Sequence, residues 1–436
     1  MSFDERARWT GLFALDTVRG GRLCEYYESV KDAYLFGTPE ELIESKLKKL
    51  IAHAAQTVPF YKKFSPDTPL SRLPIVNKDS FRSDYAAFTS DIFRDGKGCR
   101  RMSTSGSTGT PLTILQDSDK ILRNRADGMF MGAMAGYYVG MKMGFVRVWV
   151  HNVKENPLRL FAENMIMVDS SDLSDEAILR ILEDFRRKKV KCLIGYASAL
   201  GEISRCMDRH GISGKEFSIS SIIPISESMP QPVRKRLSRQ FGCPVQAWYS
   251  NEENGIMGVQ PAGSENYYID ASSFHYEFLK LDSDEPAKDG ELARIVITDL
   301  HNYAFPIIRY DNGDLAVARR QKKDGRMRLY LEELYGRRSD TVYSADGRPL
   351  TPYVITNNLW DVEGVRQYHF VQEDVADYLL ELNAEPSAAL EQEILRRISP
   401  YFGKGANIRI AYVDEIPVLN SGKRKYIENR CPKYLG

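Results

Sequence analysis

The chain has 436 residues, 43% of them hydrophobic, and its 60 Lys plus Arg face 59 Asp plus Glu for a formal net charge of +1. That length can bury more core than one ordinary domain, so two domains or more are expected. The balanced, interspersed charge argues against a nucleic-acid partner, and six scattered cysteines without a CxxC spacing argue against a disulfide framework or structural zinc.

The N-terminal residues are charged, with no apolar run or small-residue cleavage site behind them, so a reducing, cytoplasmic location is expected. Over 39–60 the apolar Leu42, Ile43, Leu47, Leu50 and Ile51 recur at helical spacing, and 57–75 is broken by prolines into irregular chain. Then comes Ser103-Thr104-Ser105-Gly106-Ser107-Thr108-Gly109-Thr110-Pro111, with no bulky side chain in it. Its glycines let successive backbone N–H groups turn inward and its hydroxyls add donors, which suits a phosphate chain. A flexible polar turn has the same composition, so this loop alone leaves both readings open.

A short segment over 112–116 leads into a helical stretch through Asn124. Gly128, Gly132, Gly136, Gly140 and Gly144 recur every fourth residue in largely apolar surroundings, a spacing seen in packed membrane helices. Lys142 and Arg147 interrupt the segment and 145–150 alternates like a strand, so the expectation is a helix packed through a glycine face and no membrane span. Beyond it helices over 176–188, 199–210 and 231–241 alternate with strands over 191–195, 222–225 and 245–248, the pattern of an α/β domain. Past Gly290 the texture turns to β, with strands expected over 291–298, 306–310, 315–318 and 328–331 and turns at Asn312-Gly313 and Asp324-Gly325. A smaller α+β unit follows Asp340, with a turn at Asp346-Gly347, strands over 367–372, 378–382 and 407–413, and a helix over 387–401.

Three later segments carry chemistry. The strand over 222–225 runs into Ser226-Glu227-Ser228, and the strand over 245–248 into Tyr249-Ser250-Asn251-Glu252-Glu253, so two strand ends deliver polar groups to one sheet edge. An aromatic with a carboxylate four residues on can stack a purine and hold Mg²⁺ beside a triphosphate; a core tyrosine beside a solvated acidic loop is the plain alternative. Arg309-Tyr310-Asp311-Asn312-Gly313-Asp314 offers Asp314 to the hydroxyls of a ribose with Arg309 near to balance its charge, although a plain hairpin has the same signature. Near the C-terminus, Asn420-Ser421-Gly422-Lys423 ends a loop in a lysine.

In order, the hydroxyl-rich loop, Glu227, Tyr249 to Glu253, Asp314, Gly336-Arg337-Arg338-Ser339-Asp340 and Gly422-Lys423 resemble the motifs of the adenylate-forming superfamily. The short chain, the Glu227 turn and Asp346-Gly347-Arg348 before Pro352 look most like its phenylacetate–CoA ligase branch, which includes CapK-like proteins. The resemblance covers nearly the whole chain. It implies a large N-terminal α/β domain over 1–338, and a small mobile α+β lid over 339–436 that carries Lys423 and pivots near Ser339 and Asp340.

The resemblance also implies an AMP-forming ligase that activates a small carboxylic acid with ATP and Mg²⁺ and passes the acyl group to CoA. Ser103 to Gly109 would hold the β and γ phosphates, Ser226, Glu227, Ser228 and Tyr249 would border the adenine, and Asp314 would bind ribose. Arg337 would contact ribose and phosphate, Glu253 would position Mg²⁺, and Lys423 would bridge carboxylate and α-phosphate. An acyl pocket among His151, Tyr196 and Trp248 would suit an aryl or hydrophobic acid. Thr110 stands where many relatives have a lysine, so the phosphate loop has no cation of its own, and Ser250 departs from the usual glycine after the motif tyrosine. An amine acceptor, or an inactive CapK-like scaffold in polysaccharide assembly, are the alternatives; the acid and the oligomeric state, a homodimer among the options, stay open.

Overall fold

The computed structural model describes residues 2–103, 112–148, 157–227, 229–338, 341–350, 353–360, 362–417 and 425–435. Three helices, Phe3–Val18, Arg22–Phe36 and Glu40–Thr57, open the chain, the first started by a capping box between Ser2 and Glu5. The third matches the apolar spacing that predicts it and buries Ile43, Leu50, Ile51 and Ala54.

A parallel sheet of four strands runs Met165–Asp169, Met143–Arg147, Cys192–Tyr196, Ser221–Ile225 in spatial order. Its strands are crossed by the helices Asp175–Arg187, Ala197–Arg209 and Gln231–Phe241, the alternation expected from sequence. Val245 continues the parallel ladder beside Ile222 through a hydrogen bond from Gln246 N to Ile222 O of 3.0 Å, and the chain then crosses into a second sheet. That sheet is antiparallel and has eight strands. Its main path is Phe274–Leu279, Leu292–Asp299, Tyr310–Lys323, Arg326–Arg337, Tyr267–Ile269, Gly255–Val259 and Trp248–Asn251, with Thr38–Pro39 on the side of Arg326–Arg337.

Three expectations need correction. The glycine face is not one helix: Gly128 and Gly132 lie in the helix Ser118–Met134, Gly136 and Gly140 take positive φ in the turn beyond it, and Gly144 sits in a strand. The period of four is shared among three elements. No helix among the described residues is long and apolar enough to cross a membrane. Residues 306–309 are not a strand, and the strand there begins at Tyr310. Nor is Asn312-Gly313 a hairpin turn, since both lie inside Tyr310–Lys323 at an irregularity in the ladder; the chain reverses at Asp324-Gly325, as expected.

The smaller unit contains a sheet ordered Asn407–Tyr412, Asp377–Asn383, Gln367–Gln372, Ile427–Asn429, covered by the helix Ala388–Phe402. Its core is continuous with that of the parallel sheet: Ile355, Leu359 and Trp360 join one cluster with Leu200, Ile203 and Val233. The molecule thus has a large N-terminal and a small C-terminal α/β part that share buried surface.

Candidate functional site

Tyr249 and Glu253 arrive on the edge strand Trp248–Asn251 and the turn after it, while Asp314 and Arg337 come from the long hairpin. The sheet brings them together. Tyr249, 6% exposed, donates its hydroxyl to Asp314 Oδ2 at 2.8 Å and accepts from Asn312 Nδ2 at 2.8 Å, while Asn312 Nδ2 also reaches Asp314 Oδ2 at 3.0 Å. Burial, and then the Asp314 charge, hold the Tyr249 phenol well above its ordinary range, so it remains a donor. Asp314 is paired across the ladder with Arg337. The Asn-Gly signature at 312–313 serves this cluster: Asn312 Oδ1 accepts from Asp314 N and Asp311 Oδ1 from Gly313 N, both at 3.0 Å, steps that shape the strand locally.

Arg309 does not balance Asp314. Its guanidinium turns the other way, bonding Glu277 Oε2 at 3.0 Å and Oε1 at 2.9 Å and the carbonyl of Leu73 at 2.6 Å. Two other cations, Arg294 and Arg338, both meet Asp311 Oδ2, at 2.8 and 3.1 Å.

Glu253 is 5% exposed and accepts from the Tyr310 hydroxyl at 3.3 Å. Its second polar partner is Lys78, whose Nζ lies 3.2 Å from Glu253 Oε1. Sequence reasoning missed Lys78, because a lysine opening a short polar segment carries the same signal as solvated surface. Glu253 meets the strand that follows the hydroxyl-rich loop through its carbonyl, which accepts from Gln116 Nε2 at 3.4 Å. Gln116 ends the strand Thr113–Gln116, antiparallel to Arg100–Ser103, and the hydroxyls of Ser103 and Thr113 meet at 2.8 Å where the loop leaves and returns.

At the end of the parallel sheet Ser226 adopts φ +67°, and the Glu227 carboxylate accepts from Ser198 N at 2.8 Å in the first turn of Ala197–Arg209. Tyr196 is buried at the same edge, its phenol pushed up chiefly by burial, with Arg147 opposing and Glu227 and Glu252 adding to the shift. Trp248 packs beside Ile194, Tyr137 and Ile225, and its buried indole N–H meets no acceptor among the described residues. Thr104, Ser105, Gly106, Ser107, Thr108, Gly109, His151, Ser228, the expected pivot at Ser339 and Asp340, and Lys423 lie outside the described residues.

One cluster elsewhere has metal-ligand spacing, Asp175, Cys206 and His210. Its carboxylate is already held by Arg209 Nε at 3.1 Å and His210 Nε2 at 2.9 Å, which makes it an ion-pair cluster at a helix start. Glu253 is the better match to a hard cation. It is a single buried carboxylate whose polar partners are both donors, and Mg²⁺ in nucleotide sites takes one or two protein carboxylates and fills the rest of its shell with phosphate oxygens and water.

Residues 342–430 match the CapK C-terminal domain. Over 433 residues the chain is 21% identical to Protein CapK of Staphylococcus aureus, covering 93% of this chain and 92% of that one. It is 25% identical over 319 residues to a phenylacetate-coenzyme A ligase of Thermus thermophilus, covering 69% and 70%. Among solved structures, 2-hydroxyisobutyryl-CoA ligase in the postadenylation state superimposes with a TM-score of 0.70 at 17% identity over 89% of both chains, a likeness of fold. The C-terminal part thus matches the CapK C-terminal domain, the chain as a whole is similar to CapK and to phenylacetate–CoA ligases, and its two-part α/β fold is that of the CoA ligases among solved structures.

Proposed function

We propose that the chain is an ATP-dependent, AMP-forming ligase that activates an aryl or other small hydrophobic carboxylic acid and transfers the acyl group to CoA. The observation that carries this reading is the convergence of the Tyr249–Asn312–Asp314 cluster and the Glu253–Lys78–Tyr310 cluster on one pair of strand ends. The first cluster fixes a carboxylate by two bonds to a single oxygen, as a ribose site that accepts two hydroxyls requires. The second holds a buried carboxylate between two donors, fit for Mg²⁺, which when bound would neutralise charge on the phosphate oxygens.

In the first step an oxygen of the acid attacks the α-phosphorus of ATP, the bond to the β-phosphate breaks, and pyrophosphate leaves with the electron pair. In the second the CoA sulfur attacks the acyl carbon and AMP departs. Tyr249 and Ser226 to Ser228 border the adenine, Asp314 and Arg337 hold the ribose and its phosphate, and Ser103 to Gly109 enclose the β and γ phosphates. Lys423, on a lid formed by 339–436 that moves against 1–338, stabilises charge at the α-phosphate. Such chemistry needs position and cations rather than a covalent nucleophile. Tyr196, His151 and Trp248 line the acid's pocket.

The test is pyrophosphate release with ATP, Mg²⁺ and a panel of aryl, fatty and amino acids, with hydroxylamine to trap adenylates. A strong signal for one acid is expected, followed by faster AMP release when CoA is added; a response to amines instead would make the enzyme an amide-forming ligase. Silence across the panel from protein that binds ATP would overturn the catalytic reading in favour of a scaffold.

A further inference from the structure

We propose that Lys78 is the cation of the triphosphate site, pairing with the β and γ phosphates of ATP in place of the lysine that the hydroxyl-rich loop lacks at Thr110. This rests on the ATP-binding reading above and adds to it a residue outside the recognised motifs.

The first support is position. Lys78 opens the short helix Lys78–Ser83, which is fixed by a capping box between Asn77 and Ser80. The chain just before it is bound into the strand that carries Asp314: Val76 N donates to Arg309 O at 3.0 Å, Asp311 N donates to Val76 O at 2.8 Å, and Phe81 stacks on Tyr310 with ring centroids 5.3 Å apart. The same strand therefore places the ribose carboxylate and this ammonium.

The second is what converges on Glu253. Lys78 Nζ meets its carboxylate at 3.2 Å, and the strand on which the hydroxyl-rich loop returns meets its carbonyl through Gln116. A lysine ammonium has three donors, so one bond to Glu253 leaves donors for phosphate oxygens. The third is exposure: the Lys78 side chain keeps 23% of its surface and the Glu253 side chain 7%, so the lysine is the more accessible member of the pair. Because Glu253 is buried, removing Lys78 also takes a partner from it, so the comparison of ATP with AMP affinity, and not stability, separates a phosphate contact from a structural one.

Calorimetric titration with ATP and with AMP, both with Mg²⁺ present, separates the possibilities. For Lys78→Ala we expect ATP affinity to fall about 10- to 100-fold, the loss of a charge-assisted bond, while AMP affinity stays within about twofold. Lys78→Arg is expected to restore most of the ATP affinity, since it keeps the charge. Lys78→Gln, which keeps most of the stem, replaces Lys78→Ala if the latter unfolds. Equal losses for ATP and AMP, or no loss for either, would overturn the proposal and leave the ATP-binding reading standing. Failure of the unaltered protein to bind ATP at all would sink both.

Discussion

The phenol of Tyr249 is a donor with one main recipient, Asp314 Oδ2, and Asn312 bonds to both of them, so its removal tests the proposed ribose cluster without emptying the core. Tyr249→Phe is expected to keep the fold and to weaken ATP binding about 5- to 10-fold, the worth of about 1 kcal/mol for one hydrogen bond, as measured by titration calorimetry. The phenol's folded pKa is raised, so its proton, and any contribution that depends on it, is present below the unfolded value and lost only as pH rises through the higher folded one. The gap between Tyr249→Phe and the parent is therefore expected to be flat between about pH 7 and 9. A gap that closes by pH 9 would mean that the hydroxyl titrates there and that the bond to Asp314 is not the cause. Glu253 and Asp314 stood out in the sequence only through the order of motifs that resembles the adenylate-forming superfamily, because a core tyrosine beside an acidic loop, or a plain hairpin, has the same local signature. Arg309 was misread because adjacency along the chain says nothing of direction: it has φ +50°, and its side chain runs to Glu277 instead of Asp314. Lys78 left no signal, since its partner is far away in sequence and meets it only through the pairing of Val76 with Tyr310.

Elements were legible where one period filled one element. The strand Gln367–Gln372 and the helix Ala388–Phe402 match their predicted spans closely: the helix buries Ile394, Ile398 and Phe402 along one face, while the strand is buried on both faces. The glycine series over 128–144 failed for the opposite reason, since its members answer to different neighbours: an added Cβ would meet the Tyr137 ring at 2.9 Å from Gly132 but the Phe185 ring at 3.0 Å from Gly144. Gly195 in the parallel sheet makes the point testable. A Cβ there would stand 2.6 Å from the carbonyl oxygen of Val146 on the neighbouring strand, and backbone cannot move aside as a side-chain tip can. Gly195→Ala is expected to cost about 1–3 kcal/mol in urea unfolding by overpacking. Gly11, in the helix Phe3–Val18 with nothing within 4 Å of its Cβ, sets the opposite sign: Gly11→Ala is expected to add about 0.5–1 kcal/mol. If both substitutions shift the midpoint alike, the strand contact is not what makes Gly195 necessary.

For the whole molecule the question is how firmly the small C-terminal part is joined to the large one. The sequence marks the change of texture near Asp340, yet it does not disclose that the two parts share a core, because the contact is made by single residues on elements far apart in the chain. Trp360, 3% exposed, lies against Gly201, where an added Cβ would come within 2.5 Å of the indole. The Arg205 guanidinium covers that ring at 4.4 Å and donates to the Trp360 carbonyl at 2.7 Å, while Gln231 N donates to Asn357 Oδ1 at 2.8 Å. Ile355 and Leu359 are fully buried beside it, and each side chain of this kind is worth about 1.5–3 kcal/mol of burial. A lid that pivots near 339–340 must either leave Tyr353–Leu359 in place or replace several kcal/mol of contact with new ones. Two parts joined this way should unfold together, although chains of this size often do not. Differential scanning calorimetry of the parent protein is therefore expected to give one transition. Gly201→Val, which fills the notch that receives Trp360, is expected to give two, with the small part melting first. Two transitions in the parent would mean that the shared core is too weak to couple the parts, and the lid would then be free to swing without the cost that this contact imposes.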